Sequence, residues 1–306
     1  MDFGWTRRGV LGGAAAVAAS PLLAQVVKPG RRSRLILLGT KGGPTPSKVR
    51  APNANLLIVD GKPYLIDCPD GVSRQLVLAG VDPYQVEHVF LTHLHSDHMA
   101  GLAALYLLAW GTGLKKPLTT YGPPPLNQVV KAAMDFAGPD IGYRMEEEGR
   151  PDLRKLIRSR EISAGPVLAQ PPVRVTSART DHYKVPSLAY RFDTPDRSFV
   201  FSGDTAPSPA LVELAKGADV LVHEVLYEDV LDRITDPNAP NLREHLIKSH
   251  TTTEQLGRIA AEAGVKTLVL SHLVPTYPEI TDAMWTAKVR RHFKGEIVVG
   301  RDLMEI

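Results

Sequence analysis

The chain reads Thr92-His93-Leu94-His95-Ser96-Asp97-His98 directly after a short apolar run, Val89-Phe90-Leu91. An Ala- and Leu-rich stretch follows from Met99 to Ala109. The apolar run is typical of a buried strand, and the stretch after it is typical of a helix. The histidines therefore lie where a strand ends and a helix begins, which is the usual place for a functional site in an α/β fold.

Three imidazoles and a carboxylate so close together predict a metal site. Side chains alternate along an extended chain, so His93 and His95 face the same way. Asp97 and His98 lie in the turn and can reach a second point nearby. Imidazole nitrogens and carboxylate oxygens are ligands that zinc and similar divalent ions take. An ordinary solvated turn gains nothing from three histidines, so the pattern favours metal binding.

The motif His-x-His-x-Asp-His after a short apolar strand resembles the signature of the metallo-β-lactamase fold superfamily of metal-dependent hydrolases. The resemblance covers residues 34–306. It implies a single α/β domain built as a four-layer αββα sandwich, with two sheets packed face to face and helices outside. Each half of the chain runs strands first and then alternates strand and helix, which fits that architecture.

The same resemblance implies a complete site for two divalent metal ions, predicted to be zinc. His182, Asp204 and His272 follow predicted strands in the order in which the superfamily supplies its remaining ligands. The implied ligands are His93, His95 and His182 for the first metal, Asp97, His98 and His272 for the second, and Asp204 for both. Two metals that share a water lower its pKa, so a bridging hydroxide is the expected nucleophile. Asp97 can accept a hydrogen bond from it.

Two further motifs resemble the ribonuclease Z branch of the superfamily, which arylsulfatase- and phosphodiesterase-type relatives share. They are His223-Glu224 after a strand and Ser249-His250-Thr251-Thr252 before a helix. In that branch the histidine matching His250 contacts the scissile phosphate and can protonate the leaving group, with the acid matching Glu224 nearby. The alternatives are a helix cap around His250 and a buried structural acid at Glu224. Three other histidines, His88, His245 and His292, have no such context and are interpreted as surface or packing residues.

The chain departs from the ribonucleases between two predicted ligands. The ribonucleases carry a long glycine- and proline-rich arm that grips tRNA, inserted between the positions matching His182 and Asp204. Here residues 183–203 suffice only for a strand pair and a turn. The formal net charge of +3 is also small, which does not indicate a nucleic-acid partner. We therefore expect no nucleic-acid partner and no tRNA processing.

The amino terminus is predicted to be a targeting segment. Thr6-Arg7-Arg8-Gly9-Val10-Leu11 places a twin-arginine pair ahead of a short apolar stretch, and Leu22-Leu23-Ala24 offers a cleavage point. We predict a Tat-type signal peptide at 1–24, a linker at 25–33 and the hydrolase domain at 34–306, with export to the periplasm by the Tat machinery. The apolar stretch is too short to span a bilayer, so no stable membrane association is expected.

These observations predict an exported dinuclear hydrolase of small-molecule esters, of the phosphodiesterase or arylsulfatase type. One alternative is a lactonase or β-lactamase-type hydrolase, which has less need of an acid at His250. Another is a non-hydrolytic metal-binding protein. The flavodiiron type would replace one ligand histidine by an acid and add a flavin domain, and neither feature is seen.

Composition adds bounds on the class of protein. The 306 residues are 43% hydrophobic and 23% charged, which is typical of a soluble globular protein. Cys68 is the single cysteine, so an intramolecular disulfide and a cysteine-based zinc site are excluded. Residues 138–172 are interpreted as a partly helical surface insertion, with a lid over the site as the alternative. The sequence leaves the ester and the oligomeric state open.

Overall fold

Fourteen strands and eight α-helices alternate along residues 31–306, the part of the chain that the computed structural model describes. The strands are β1 Ser33–Gly39, β2 Ala54–Val59, β3 Lys62–Ile66, β4 His88–Phe90, β5 Leu118–Gly122, β6 Ile157–Glu161, β7 Gly165–Gln170, β8 Val173–His182, β9 Val185–Asp193, β10 Ser198–Phe201, β11 Val220–Leu226, β12 Thr267–Val274, β13 Glu296–Val299 and β14 Met304–Glu305. The helices are α1 Val72–Leu78, α2 Ser96–Met99, α3 Leu102–Thr112, α4 Leu126–Glu148, α5 Pro209–Ala215, α6 Leu242–Ser249, α7 Thr253–Ala263 and α8 Asp282–His292. Three short 3-10 helices lie at Pro83–Gln85, Leu153–Lys155 and Glu228–Arg233.

The strands form two seven-stranded sheets. The first has the order β14-β1-β2-β3-β4-β5-β6, and the second has the order β13-β12-β11-β10-β9-β8-β7. In each sheet an antiparallel meander leads into parallel strands: β3 to β6 run parallel in the first, and β10 to β13 run parallel in the second. The carboxyl ends of the parallel strands are where α/β sheets place their sites.

The two sheets pack face to face through an apolar layer. Side chains alternate along each strand, so Leu35 and Leu37 of β1 point into this layer while Ile36 and Leu38 point to the other side. Aromatic rings from both sheets fill the centre of the layer. The ring of Phe90 meets that of Phe192 edge-on, with their centroids 5.1 Å apart.

Helices cover the outer face of each sheet. On the first sheet, α1, α3 and α4 bury apolar side chains that include Leu76, Tyr106 and Trp110. On the second sheet, α5, α7 and α8 do the same, with Trp285 and Val289 among the buried residues. The four layers confirm the predicted αββα sandwich in a single domain. In residues 31–306 no helix has the length and apolar character needed to cross a membrane.

The predicted surface insertion at 138–172 is wrong. Helix α4 continues past Pro139 to Glu148, and β6 and β7 then form the outer strands of the two sheets. Edge strands carry charged side chains because one side of them meets solvent, and β6 accordingly exposes Arg158 and Arg160. The exposed charged side chains are not typical of a strand pattern, so these two strands were not predicted from the sequence. The predicted signal peptide at 1–24 lies outside the described residues.

Candidate metal centre

All seven predicted ligands converge at one end of the sandwich. Their positions follow from the strands that carry them: His93 and His95 in the loop after β4, Asp97 and His98 on α2, His182 at the end of β8, Asp204 just after β10, and His272 on β12. The position of the Asp204 side chain depends on the backbone conformation of the glycine before it. Gly203 has φ 59°, and a Cβ there would lie 2.8 Å from the Leu188 carbonyl oxygen, so no larger residue fits.

Three imidazoles form the first ligand set. The Nδ1 atom of His95 lies 3.1 Å from Nε2 of His93 and 3.1 Å from Nε2 of His182. Burial lowers the pKa of His93, and it lowers the pKa of His182 to about 4. The rings of these two residues are therefore neutral at physiological pH, as metal ligation requires.

Two carboxylates and two imidazoles form the second set. Oδ2 of Asp97 lies 3.4 Å from Nε2 of His272 and 3.6 Å from Nε2 of His98. Asp204 reaches both sets: its Oδ1 lies 3.4 Å from His98 Nε2, and its Oδ2 lies 3.2 Å from His272 Nε2 and 3.8 Å from His93 Nε2. An acid in this position can be shared by two metal ions.

The buried polar atoms of the cluster fit a pair of divalent cations. His98 Nε2 and Asp204 Oδ1 are buried without a hydrogen-bond partner among the described residues, which is costly unless a ligand completes them. Burial would lower the pKa of His98, but the charges of Asp204 and Asp67 outweigh burial and raise it well above its ordinary value. Positive charge is thus favoured beside Asp204 and Asp67, and a metal ion bound by His98 would supply it.

Hydrogen bonds from outside the cluster orient two of the ligands. Asp67 Oδ2 accepts from Nδ1 of His98 at 2.8 Å, and the Ser249 carbonyl oxygen accepts from Nδ1 of His182 at 3.0 Å. Each bond fixes the tautomer and leaves Nε2 of the ring for a metal. Asp67 has φ 64°, a left-handed conformation that aspartate and asparagine tolerate better than other residues.

We expect Asp67→Asn to weaken metal binding by roughly 10- to 100-fold, the usual cost of losing such an outer carboxylate. Asparagine keeps the shape and the backbone conformation, so only the charge behind His98 is lost. The measurement is metal affinity by chelator competition. Asp60→Asn is the matched control, because Asp60 also has a positive φ of 48° but lies on the exposed surface. Equal affinity in the two variants would contradict this role.

His250 and Glu224 lie beside the ligand sets and contact each other. Both side chains are buried, and Glu224 Oε1 lies 3.1 Å from Nδ1 of His250. The same oxygen accepts from the backbone N–H groups of Thr205 and Thr251, each at 3.1 Å. Burial would lower the pKa of His250, but Glu224 and then Asp204 and Asp97 outweigh it and raise the pKa to about 9. The charge of Glu224, which is not assigned to a metal, thus favours the protonated ring of His250.

His245 is part of this region, although sequence analysis set it aside as a surface or packing residue. Its ring centroid lies 5.9 Å from that of His182, 6.0 Å from His250 and 6.2 Å from His95. Nδ1 of His245 is hydrogen-bonded to Ser249 Oγ at 3.1 Å. An i, i+5 spacing does not place His245 and His250 on one face of a helix, so no local pattern marked His245. The other two histidines set aside, His88 and His292, lie outside the cluster.

A cleft of about 310 Å³ opens over the centre. Its polar side carries His95, Asp97, Asp204, His245, His250 and His272. Apolar side chains that include Leu242, Leu246 and Tyr277 form another wall. No residue of 138–172 lines this cleft, so the described structure gives no support for a lid from that stretch.

Residues 63–273 match the model of the beta-lactamase superfamily domain. Ribonuclease Z from Mycobacterium bovis is 34% identical over 276 residues, which cover 89% of this chain and 97% of that protein. The chain belongs to the beta-lactamase superfamily and to its ribonuclease Z family. Two solved structures share the fold of this chain, each at 21% identity and a TM-score of 0.67. Human tRNase Z, short form, aligns over 89% of this chain and 98% of its own, and the metallo-β-lactamase fold protein YhfI from Bacillus subtilis over 90% and 98%.

These similarities contradict two predictions. The prediction of a small-ester substrate and the prediction of no nucleic-acid partner are wrong, because the relatives that match over nearly their whole length are ribonuclease Z proteins. Neither the superfamily match nor these relatives support the arylsulfatase or small-substrate phosphodiesterase type, or the Tat signal. The superfamily membership does support a metal-dependent hydrolase.

Two features of the sequence were taken to exclude an RNA substrate: the short segment between His182 and Asp204, and the small net charge. Neither excludes it. The alignment to the M. bovis enzyme spans nearly all of that protein and almost as many residues of this chain. The relative therefore has no long arm that this chain lacks, and the short segment 183–203 excludes nothing. The net charge sums every surface of the molecule, whereas phosphate contacts depend on the charges next to the site.

Proposed function

We propose that this chain is a metal-dependent ribonuclease that hydrolyses a phosphodiester bond in precursor tRNA. The observation that carries the proposal is the buried pair of His250 and Glu224 beside both ligand sets, in a chain whose relatives are ribonuclease Z. A phosphodiester with a ribose leaving group needs an acid at the departing oxygen, and an acyl substrate has less need of one there.

His250 is assigned as that acid. Its Nδ1–H is hydrogen-bonded to Glu224 Oε1, so Nε2–H is the group that can donate to the leaving oxygen. The carboxylate of Glu224 stabilises the protonated ring. Glu224 also holds the backbone at Thr205 and Thr251, so it is a positioning residue for His250 and for the Asp204 loop.

The ligand set suits two zinc ions, because imidazole and carboxylate are the donors that zinc takes in catalytic sites. Two bound ions would activate a water and neutralise charge on the phosphate. Asp97 is an acceptor for that water. Burial would raise the pKa of Asp97, but the hydrogen bond from His272 and the charge of His98 outweigh burial and lower it, so Asp97 is ionised at neutral pH.

The surface next to the centre has groups that favour RNA. Tyr183 follows the ligand His182 and is 47% exposed. The ammonium groups of Lys184 and Lys248 lie 5.2 and 5.3 Å from its ring centroid. Lys248 also forms an ion pair with Glu244, so Lys184 is the charge assigned to a phosphate. An exposed aromatic ring beside positive charge suits single-stranded nucleic acid, because bases stack on aromatic rings and phosphates pair with cations.

We expect the zinc-loaded protein to cut labelled precursor tRNA at one discrete position, and a denaturing gel measures the product. EDTA should abolish cleavage and added zinc should restore it, because the ions supply the activated water. Mature tRNA is the control substrate. Hydrolysis of a lactone or a β-lactam with precursor tRNA left intact would contradict the proposal. The periplasmic location, predicted from residues 1–24, remains a separate proposal.

A further inference from the structure

Lys41 has a buried ammonium group on the wall of the cleft. The residue follows β1 and is 5% exposed, and it lines the same cleft as Asp97 and His272. Its Nζ donates to the carbonyl oxygens of Gly42 at 2.9 Å and Gly43 at 2.8 Å. An ammonium has three N–H donors. The third has no protein acceptor among residues 31–306.

The charge of Lys41 has no counter-ion in the described structure. No carboxylate of residues 31–306 lies within ion-pair distance of Nζ. Asp97 is the acid whose charge acts on Lys41, but Asp97 is assigned to a metal ion. A buried cation without a negative partner is costly. That cost is offset when an anion binds in the cleft.

The backbone around Lys41 is fixed against the metal centre. Lys41 forms single β-bridges to Pro52, which lies just before β2, and to Leu273 of β12. A Cβ on Gly42 would lie 2.7 Å from Nδ1 of His272, so the loop touches a ligand and no larger residue fits. The bridges thus fix the backbone of Lys41, and the Gly42 and Gly43 carbonyls hold its ammonium, before substrate arrives, as a binding residue requires.

We propose that the Lys41 ammonium binds a phosphate oxygen of the substrate in the cleft over the metal centre. This inference rests on the proposed function, because it assumes that the substrate is a phosphodiester. The contact adds one charge-assisted hydrogen bond to those that hold the phosphate. The bound phosphate is also the negative partner that the buried ammonium lacks.

The test uses the zinc-loaded protein with Lys41→Gln, Lys41→Arg and the control Lys115→Gln, which removes an exposed lysine outside the cleft. Glutamine is neutral but can still donate to the Gly42 and Gly43 carbonyls. The first measurement is the affinity for inorganic phosphate by calorimetry. The second is RNA affinity as a function of salt. Zinc content and circular dichroism verify each variant. If Lys41→Gln does not fold, Lys41→Met replaces it.

Lys41→Gln should weaken phosphate binding by roughly 10- to 100-fold, the range for a hydrogen bond to a charged group. It should also lower the slope of log affinity for RNA against log salt by about one. Lys41→Arg should retain most of the phosphate affinity and most of the salt slope. The zinc content of each variant should not change. Unchanged phosphate affinity and slope in Lys41→Gln would overturn the inference. If wild type cuts no RNA but Lys41→Gln still loses phosphate, the proposed function fails and the Lys41 contact stands.

Discussion

Replacing Asp204 by alanine is expected to remove both metal ions and to lower RNA cleavage by on the order of a thousandfold or more. Among the described residues Asp204 is the carboxylate that reaches both ligand sets, through Oδ2 to His93 of the first set and Oδ1 to His98 of the second. Its loss also leaves several histidines buried without their negative partner. Metal ions contribute several kcal/mol of charge stabilisation in the transition state, and each 1.4 kcal/mol or so is a factor of ten in rate.

Elemental analysis and cleavage of precursor tRNA measure this prediction. The matched control is Asp232→Ala, because the Asp232 side chain is exposed and away from the centre. Asp232→Ala should retain two metals per chain and full activity. A chain that still holds two metals after Asp204→Ala would show that Asp204 is not shared between them.

His250→Ala is expected to lower the rate of RNA cleavage by about a hundredfold or more, the usual contribution of a placed general acid. The ribose oxygen is a poor leaving group and needs the proton that His250 Nε2–H offers. The nitrophenolate of a nitrophenyl phosphodiester leaves as a stable anion, so the hydrolysis of that substrate should decline little. Metal content should stay the same, because His250 is not assigned as a ligand.

Two variants separate the acid role from a structural one. Glu224→Gln keeps an oxygen that can accept from Nδ1 of His250 but loses the charge, so it should show a smaller loss with the same dependence on the leaving group. His292→Ala removes a histidine on the far end of α8 and should change neither rate. Equal losses for good and poor leaving groups would remove the acid role. Loss of zinc in His250→Ala would show that the ligand assignment is incomplete.

The sequence predicted the fold through its resemblance to a superfamily, and it predicted the first four ligands of the centre because those residues are close together in the chain. The spacing of His93, His95, Asp97 and His98 places four ligands at one strand end whatever the rest of the chain does. His182, Asp204 and His272 were assigned through the resemblance to the superfamily, supported by the place of each after a predicted strand. The pairing of His250 with Glu224 followed from resemblance alone, and the 3.1 Å contact now gives it a geometry.

Only the tertiary structure brought in Lys41 and His245, because no local pattern marks them. Lys41 lies on the cleft through a bridge to Leu273 of β12, which is distant in sequence. His245 reaches the ligands because α6 packs against β8. The edge strands β6 and β7 were missed because half-solvated strands lose the apolar alternation that identifies strands. The substrate class could not be predicted from net charge, because affinity for RNA depends on where the charges lie. Lys184 and Lys248 meet at Tyr183 only after β8, β9 and α6 are folded together.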